Sequence, residues 1–276
     1  LARSGGTAIS RYLIAKTGAV LVSEIHPRGP SYINNLAAGA GFSYNIGWQA
    51  QHFYQLGDRT TATPQSHDAF TQDNTERDII GVIEHAMGQG RPVILRDWAY
   101  LDFHGWPLSD HATQQMAVPT MLAPHFTIQA IGFVRHPLTM FMSLLSLRHV
   151  NQHLLNGPET ARYLTGYLAF IKAIDGMPIF KFEDFAVDPD GVTDKMVDSL
   201  GFDTKALRPI PFDQVPELTG DEAAGRAKTI ALPPPKDMPT PMVAFFEQQP
   251  AYQELLERLG YQSRDERLVR VIDQPR

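Results

Sequence analysis

The sequence predicts an α/β fold in which helices cover a mostly parallel sheet. Short apolar runs of the kind that form buried strands alternate with segments whose apolar residues recur at helical spacing. Polar or turn-forming residues follow each apolar run, which is where a strand would end. The composition, 43% hydrophobic and 20% charged over 276 residues, is that of a folded globular protein.

Four apolar runs are predicted as strands: residues 19–23, 92–95, 128–134 and 178–182. A helix is predicted directly after Thr7, where Ile9 and Leu13 fall on one face. Pro137 suits the first turn of a helix after the third strand, and a further helix is predicted over 191–200 with Gly201 at its end. Because a loop leads straight into the first helix, we expect a strand upstream of residue 1.

One domain spanning residues 1–276 is the simplest organisation. The sequence contains no internal repeat, and two stretches fit the alternation of strands and helices poorly, residues 28–75 and 204–241. Long irregular stretches in compact domains are usually functional. We therefore expect these two to be loop-rich insertions that bind an acceptor substrate or form a lid.

Charge and cysteine content exclude several classes of protein. Lys and Arg number 24 against 30 Asp and Glu, a net charge of -6, which argues against a nucleic-acid or anionic-membrane binder. The absence of cysteine excludes disulfides, Cys-ligated metal centres and a thiol nucleophile. No run is apolar enough to span a bilayer and no signal segment opens the chain, so we expect a cytoplasmic protein.

The strongest motif is the first turn, Arg3-Ser4-Gly5-Gly6-Thr7. Two glycines at a helix N-terminus allow close approach to a ligand, and the free N–H groups and positive dipole end suit an anion. The turn lacks the Lys of the nucleotide-triphosphatase loop, and no strand clearly supplies a magnesium carboxylate. The motif therefore indicates an anion handled without a metal, although a glycine turn with capping hydroxyls has the same sequence.

A second motif follows the third strand. Arg135 stands at the strand end, Pro137 opens a helix, and Ser143 lies about two helical turns further along. Taken alone, such an Arg is more often a solvated or salt-bridged surface group.

Together the two motifs resemble those of sulfotransferases that use 3′-phosphoadenosine 5′-phosphosulfate (PAPS). Their separation of about 130 residues also suits that family, and residues 182–189 are similar to its [YF]-E-D-L-x-x-D-P segment. The loop 219–226, which ends in Gly225-Arg226, is similar to the late loop over the 3′-phosphate in bacterial-type members. The resemblance runs from residue 3 to about 240 and implies a three-layer fold like that of the P-loop NTPases.

The resemblance also implies an activity and a set of ligands. The enzyme would be a transferase that moves a sulfuryl group from PAPS to an acceptor hydroxyl or amine, leaving adenosine 3′,5′-bisphosphate (PAP), with no metal required. Arg3, Ser4, Gly5, Gly6 and Thr7 would hold the 5′-phosphosulfate. Arg3 would also be catalytic, because it would stabilise the charge that grows on the leaving 5′-phosphate oxygens. The 3′-phosphate would be held by Arg135, Ser143 and Arg226. The acceptor could be a small molecule, lipid, glycan or peptide, and the sequence is compatible with a homodimer.

The transfer needs a base for the acceptor proton. Glu24, 21 residues after Arg3 at a strand exit, resembles the catalytic glutamate of the Glu-dependent branch of the family. Small-molecule members use a His after a later strand, where this chain has Arg96-Asp97-Trp98. Glu24 is therefore the first candidate, with Asp97 and His26 as alternatives.

Two other functions remain open from the sequence. One is a P-loop nucleotide-dependent enzyme of the kinase type, and the other is a non-catalytic nucleotide-binding domain of the same fold. The chain also departs from the family at the adenine site, where Ala8 replaces a Trp and Phe182 replaces a common Tyr. His149 and His153 lie one helical turn apart but have no third ligand, so a metal site there is not expected.

Overall fold

The chain is a mixed α/β protein with short parallel strand pairs among its helices. The computed structural model describes residues 4–27, 46–56, 72–105, 112–146, 157–216, 218 and 230–273. Arg3, Arg226, His149, His153 and most of the stretch 28–75 lie outside the described residues. The same holds for the predicted loop 219–226.

The described helices and strands have the following bounds. The helices are α1 (Gly6–Thr17), α2 (Ile46–Tyr54), α3 (Gln72–Gly88), α4 (Tyr100–Phe103), α5 (Ala117–Leu122), α6 (Pro137–Leu145), α7 (Gly157–Ala173), α8 (Phe182–Val187), α9 (Pro189–Ser199), α10 (Thr240–Glu247) and α11 (Pro250–Leu259). The strands are β1 (Val20–Ile25), β2 (Val93–Asp97), β3 (Gly132–Val134), β4 (Ile179–Lys181), β5 (Lys236–Pro239) and β6 (Val269–Ile272).

The parallel arrangement predicted from the sequence is confirmed. Strand β1 pairs with β2, β3 with β4, and β5 with β6, each in parallel, and the three pairs are not joined into one sheet within the described residues. All four predicted strands are present with shifted ends. The largest difference is at β3, because residues 128–131 precede the point where Gly132 N–H donates to the carbonyl of Pro178 and the pairing begins.

Strand β1 is the most deeply buried strand described, and helix α2 completes its hydrogen bonding. The amide side chain of Gln49 accepts from Ser23 N–H at 2.8 Å and donates to Ser23 O at 2.9 Å. The hydroxyl of Tyr54 donates to Leu21 O at 2.9 Å. These side chains serve the edge of β1 that does not face β2, so a buried strand edge is left satisfied without another strand.

Helix α1 packs against residues of two strand pairs. Ile9 and Leu13 on its buried face share a cluster with Ile94 of β2 and Phe133 of β3. The helical periodicity of the sequence therefore predicted the correct face. Since α1 covers both pairs, the turn that precedes it lies near residues of each.

The helix signals after the third and fourth strands are confirmed. Pro137 occupies the first turn of α6. Helix α9 begins after Asp188, whose carboxylate accepts from Gly191 N–H at 3.0 Å, and Gly201 follows its end with a φ of 66°. In the described ranges, no helix combines the length and apolar character needed to cross a membrane.

Candidate anion-binding site

The glycines of the first turn make room for two other side chains. Gly5 precedes α1 with a φ of 95°, a left-handed conformation that suits glycine, and a side chain there would overlap the ring of Phe182. A side chain at Gly6 would begin 3.4 Å from Cδ of Arg96. The first amides of α1, as at any helix N-terminus, have no partner within the helix.

Arg96 links the first turn to the candidate base. Its Nη1 donates to Thr7 Oγ1 at 3.0 Å, and its Nη2 donates to Glu24 Oε1 at 2.6 Å. The side chains of Arg96 and Glu24 are only 19% and 23% exposed. The structure therefore brings Glu24, the predicted base, to the first turn through a cation that the sequence analysis did not assign to the site.

The backbone at Glu24 explains how its side chain reaches Arg96. The register between β1 and β2 shifts between Ser23 and Ile25, and Glu24 has a φ of 57°. Such a bulge redirects a side chain out of the normal alternation of a strand. A positive φ outside glycine costs about 1 kcal/mol, and strain of this kind is typical of functional positions.

Arg135 is held in place from several directions. It is 8% exposed, its Nε donates to Thr139 Oγ1 at 3.2 Å, and its guanidinium carbon lies 4.6 Å from the centre of the Phe182 ring. The Tyr167 hydroxyl donates to Arg135 O at 2.7 Å and accepts from Arg135 N–H at 3.1 Å. Ser143 lies one turn beyond Thr139 on α6 and is partly buried. The surface-group interpretation of Arg135 is therefore wrong.

Phe182 joins the two predicted motifs. Its ring occupies the space left by the missing side chain of Gly5, and the guanidinium of Arg135 stacks over the same ring. The turn before α1 and the end of β3 are thus separated by one aromatic side chain. Arg3 and Arg226, the other two predicted cations, lie outside the described residues.

Glu183 braces the turn that carries Arg135. Its Oε1 accepts from His136 N–H at 3.0 Å, and its Oε2 accepts from the Tyr261 hydroxyl at 2.6 Å. The ring of His136 donates through Nε2 to the carbonyl of Gln262 at 3.0 Å, and burial lowers the pKa of this histidine. Glu183 was only part of a motif in the sequence, and its long-range partners could not be identified there.

The two alternative bases belong to a different cluster. Nε2 of His26 donates to Asp102 Oδ1 at 3.1 Å, and both side chains are fully buried. Burial alone would raise the pKa of Asp102, but hydrogen bonds from His26, the Ala117 amide and the Thr113 hydroxyl outweigh it and lower that pKa. His26 is therefore occupied with Asp102.

Asp97 lies beside this cluster. Both of its carboxylate oxygens are buried and have no hydrogen-bond partner among the described residues. Burial, followed by the nearby charge of Asp102, raises its pKa to about 8. Arg96 and Asp97 are consecutive in β2, so their side chains leave opposite faces of the strand pair. Of the three candidate bases, the structure brings Glu24 to the first turn.

Neither a metal site nor a known relative assigns a further role to these residues. Within the ranges given above, no group of three or more His, Asp or Glu side chains is arranged to hold a metal ion. The chain matches no protein-family model, no curated protein and no solved structure. Its function is therefore inferred from its own residues.

Proposed function

We propose that the protein is a PAPS-dependent sulfotransferase with a three-layer fold like that of the P-loop NTPases. The observation that carries the proposal is the contact of Phe182 with both Gly5 and Arg135. It brings the two motifs that resemble the 5′-phosphosulfate and 3′-phosphate sites of this family within reach of one nucleotide.

The first turn would bind the 5′ end of the donor. The amides at the start of α1, which have no partner within the helix, would donate to the phosphosulfate together with the hydroxyls of Ser4 and Thr7. Arg3 would add a formal positive charge. Arg96 lies against Thr7, so a second guanidinium stands beside this anion. Cations in this position stabilise the charge that grows on the leaving phosphate.

The 3′-phosphate would bind near Arg135, with Ser143 and Arg226 as further donors. Arg135 is pre-organised by Thr139 and Phe182, so little side-chain entropy is lost when it binds an anion. This contact would select a nucleotide with a 3′-phosphate and would take no part in the chemistry.

Glu24 would act as the base. The acceptor oxygen or nitrogen forms a bond to sulfur, its proton passes to the Glu24 carboxylate, and the bond from sulfur to the 5′-phosphate oxygen breaks with its electrons on that oxygen. Arg96 contacts both Glu24 and Thr7, so one guanidinium orients the base and faces the leaving group. A sulfuryl group carries less charge than a phosphoryl group, which is why cationic side chains could replace Mg²⁺ here.

Thermal unfolding with two nucleotides tests the proposal. Adenosine 3′,5′-bisphosphate at 100 times its Kd should stabilise the protein by about 2.7 kcal/mol, whereas ATP with Mg²⁺ should stabilise it less. Release of the bisphosphate from PAPS in the presence of a panel of hydroxyl and amine acceptors then measures turnover. Stabilisation by Mg²⁺-ATP alone would favour a kinase-like enzyme, and nucleotide binding without turnover would favour a non-catalytic domain.

A further inference from the structure

The backbone of Glu24 is held from both sides in its unusual conformation. Before it, the Gln49 side chain binds both backbone groups of Ser23, at 2.8 and 2.9 Å. After it, Ile25 O accepts from Trp98 N–H at 2.8 Å, which resumes the pairing of the two strand ends beyond the bulge. A strained backbone persists only where its surroundings fix it. The groups that fix these neighbours therefore determine where the Glu24 carboxylate lies.

We propose that the hydrogen bond between His26 and Asp102 positions Glu24 as the base. The proposal rests on the proposed function, in which Glu24 takes the proton of the acceptor. His26 lies two residues after Glu24, and its Nε2 donates to Asp102 Oδ1 at 3.1 Å. His26 and Asp102 are positioning residues, because they act through the backbone that carries the base.

Asp102 is a rigid anchor for this bond. It lies on α4, which begins three residues after β2 ends, so the anchor is attached to the strand that pairs with β1. Its Oδ1 also accepts from the Thr113 hydroxyl at 2.7 Å, and its Oδ2 accepts from Ala117 N–H at 2.9 Å. One side chain thus joins α4, the segment before α5 and the end of β1.

Burial makes the bond directional. The side chains of His26 and Asp102 are both 0% exposed. A buried polar pair is often no more stabilising than apolar side chains of similar volume, but its hydrogen bond fixes the direction of both partners. The pair therefore favours one arrangement of the β1 exit, in which Arg96 Nη2 lies 2.6 Å from Glu24 Oε1.

A histidine paired with a carboxylate is also the arrangement of a histidine base. The sequence left His26 open as an alternative base, so the experiment has to distinguish the two roles. In the structure, Glu24 contacts the cation at the first turn, whereas the side chain of His26 is fully buried. His26→Gln separates the roles, because the Gln amide can donate to Asp102 but cannot act as a base at neutral pH.

Turnover of five variants tests the assignment: His26→Ala, His26→Gln, Asp102→Asn, Glu24→Gln and the double variant His26→Ala/Glu24→Gln. Turnover is the release of adenosine 3′,5′-bisphosphate from PAPS with the most active acceptor of the panel, or with water if no acceptor reacts. Calorimetric titration gives the affinity for the bisphosphate, and urea denaturation shows that each variant is folded. Asp102→Asn keeps the side-chain volume and replaces His26→Ala, alone and in the double variant, if His26→Ala does not fold.

Loss of the bond should lower kcat and spare nucleotide binding. We expect His26→Ala and Asp102→Asn to lower kcat by about 10-fold to 100-fold, the scale of a misplaced catalytic group. Their affinity for the bisphosphate should change by less than about threefold. His26→Gln should stay within about threefold of the wild type in both quantities, because it restores the hydrogen bond.

The double variant separates positioning from a general loss of structure. If His26 acts through Glu24, its replacement has nothing left to misplace once Glu24 is already Gln. His26→Ala should then lower the turnover of Glu24→Gln by less than about a further threefold, since residues that act as a unit are not additive.

Glu247→Gln is the matched control. Glu247 lies on α10, and its carboxylate accepts from the side chains of Ser263 and Arg264, so the variant disturbs a side-chain network that does not include Glu24. It should turn over PAPS like the wild type.

The other outcomes overturn either this assignment or the proposed function. Normal turnover of His26→Ala, or an additive loss in the double variant, overturns the positioning role and leaves the proposed function standing. Equal losses in His26→Ala and His26→Gln do the same when Glu24→Gln is also inactive. If His26→Gln loses turnover and Glu24→Gln keeps it, His26 is the base and Glu24 is not. A wild type that releases no bisphosphate from PAPS overturns the proposed function and, with it, the positioning role.

Discussion

Nη2 of Arg96 lies 2.6 Å from Oε1 of Glu24, where β1 departs from its regular register with β2. Both side chains are less than one quarter exposed, so solvent and salt screen the pair less than they would on an open surface. The bulge at Glu24 is what makes the pair possible, since it redirects the side chain. A strained backbone, a carboxylate and a guanidinium thus converge beside Thr7, the first turn of α1.

Replacement of the base should separate turnover from nucleotide binding. Glu24→Gln keeps the shape of the side chain but can no longer take a proton. We expect turnover with PAPS to fall by roughly 10²-fold to 10⁴-fold, the usual range for a lost general base. Affinity for adenosine 3′,5′-bisphosphate should change by less than about threefold, because the base contacts the acceptor and not the nucleotide.

Glu84→Gln is the matched control for this experiment. Glu84 is an exposed residue of α3, a helix that carries none of the candidate site residues, and its replacement removes the same charge. It should leave both quantities unchanged. Near-normal turnover of Glu24→Gln would contradict the assignment of the base.

Arg96 is expected to matter for turnover although the sequence motifs did not include it. Arg96→Gln removes the contacts with both Thr7 and Glu24, and with them a positive charge next to the leaving group. The loss of one group that stabilises developing charge typically costs about 10²-fold in kcat. Single-turnover rates with saturating PAPS measure this effect independently of binding.

The exposed guanidinium of Arg77, which pairs only with its neighbour Asp78 in the contacts described, provides the control variant Arg77→Gln. That variant should turn over like the wild type. If Arg96→Gln does so too, the guanidinium has a structural role alone.

The buried carboxyl of Asp97 should make stability depend on pH. Burial, with the charge of Asp102, raises its pKa from 3.8 to about 8, so the folded protein holds this proton more tightly than the unfolded chain does. The contribution of this neutral carboxyl to the free energy of unfolding is fully present below about pH 4, declines as the pH rises, and is lost above about pH 8. Asp97→Asn cannot ionise. The free energy of unfolding of Asp97→Asn minus that of the wild type should therefore increase from pH 5 to pH 8, by up to about 1.4 kcal/mol per pH unit.

Urea denaturation at several pH values measures this difference. Asp175→Asn, a change at an exposed position, controls for the loss of a negative charge and should show a difference from wild type that varies little with pH. A difference between Asp97→Asn and wild type that is constant from pH 5 to pH 8 would contradict the raised pKa.

Local sequence signals determined which parts of the fold could be predicted. Apolar runs located β1 and β2 to within two residues, and Pro137 and Gly201 marked helix ends through their own backbone preferences. Strand β5 and the elements that follow it were not predicted. Prolines at 233–235 and 239 make the sequence around β5 look like a loop, and β5 and β6 are only 4 residues each, too short to give a clear strand pattern.

The site was predictable only where its residues carry their own signal. Gly5 and Arg135 stand in recognisable motifs, but the link between them is the ring of Phe182, which contacts both across long sequence separations. Arg96 follows an apolar run like many strand-end residues. Its partners are 72 and 89 residues away along the chain, so no local pattern could identify it.

The contact of Gly5 with Phe182 can be tested by a pair of glycine substitutions. Gly5 and Gly176 both have a positive φ, 95° and 83°, but a side chain at Gly176 would meet nothing within 4 Å. Gly176→Ala should therefore cost only the strain of the backbone conformation, about 1 kcal/mol of unfolding free energy. Gly5→Ala should cost roughly 1–3 kcal/mol more, because its new methyl group would displace the Phe182 ring.

Displacement of Phe182 should also reach the nucleotide. The ring lies under the guanidinium of Arg135, so Gly5→Ala should weaken binding of adenosine 3′,5′-bisphosphate, whereas Gly176→Ala should not. Denaturation and calorimetric titration of the two variants measure both effects. If the variants lose the same stability and bind the nucleotide equally well, Gly5 serves the backbone turn alone and Phe182 does not couple the two motifs.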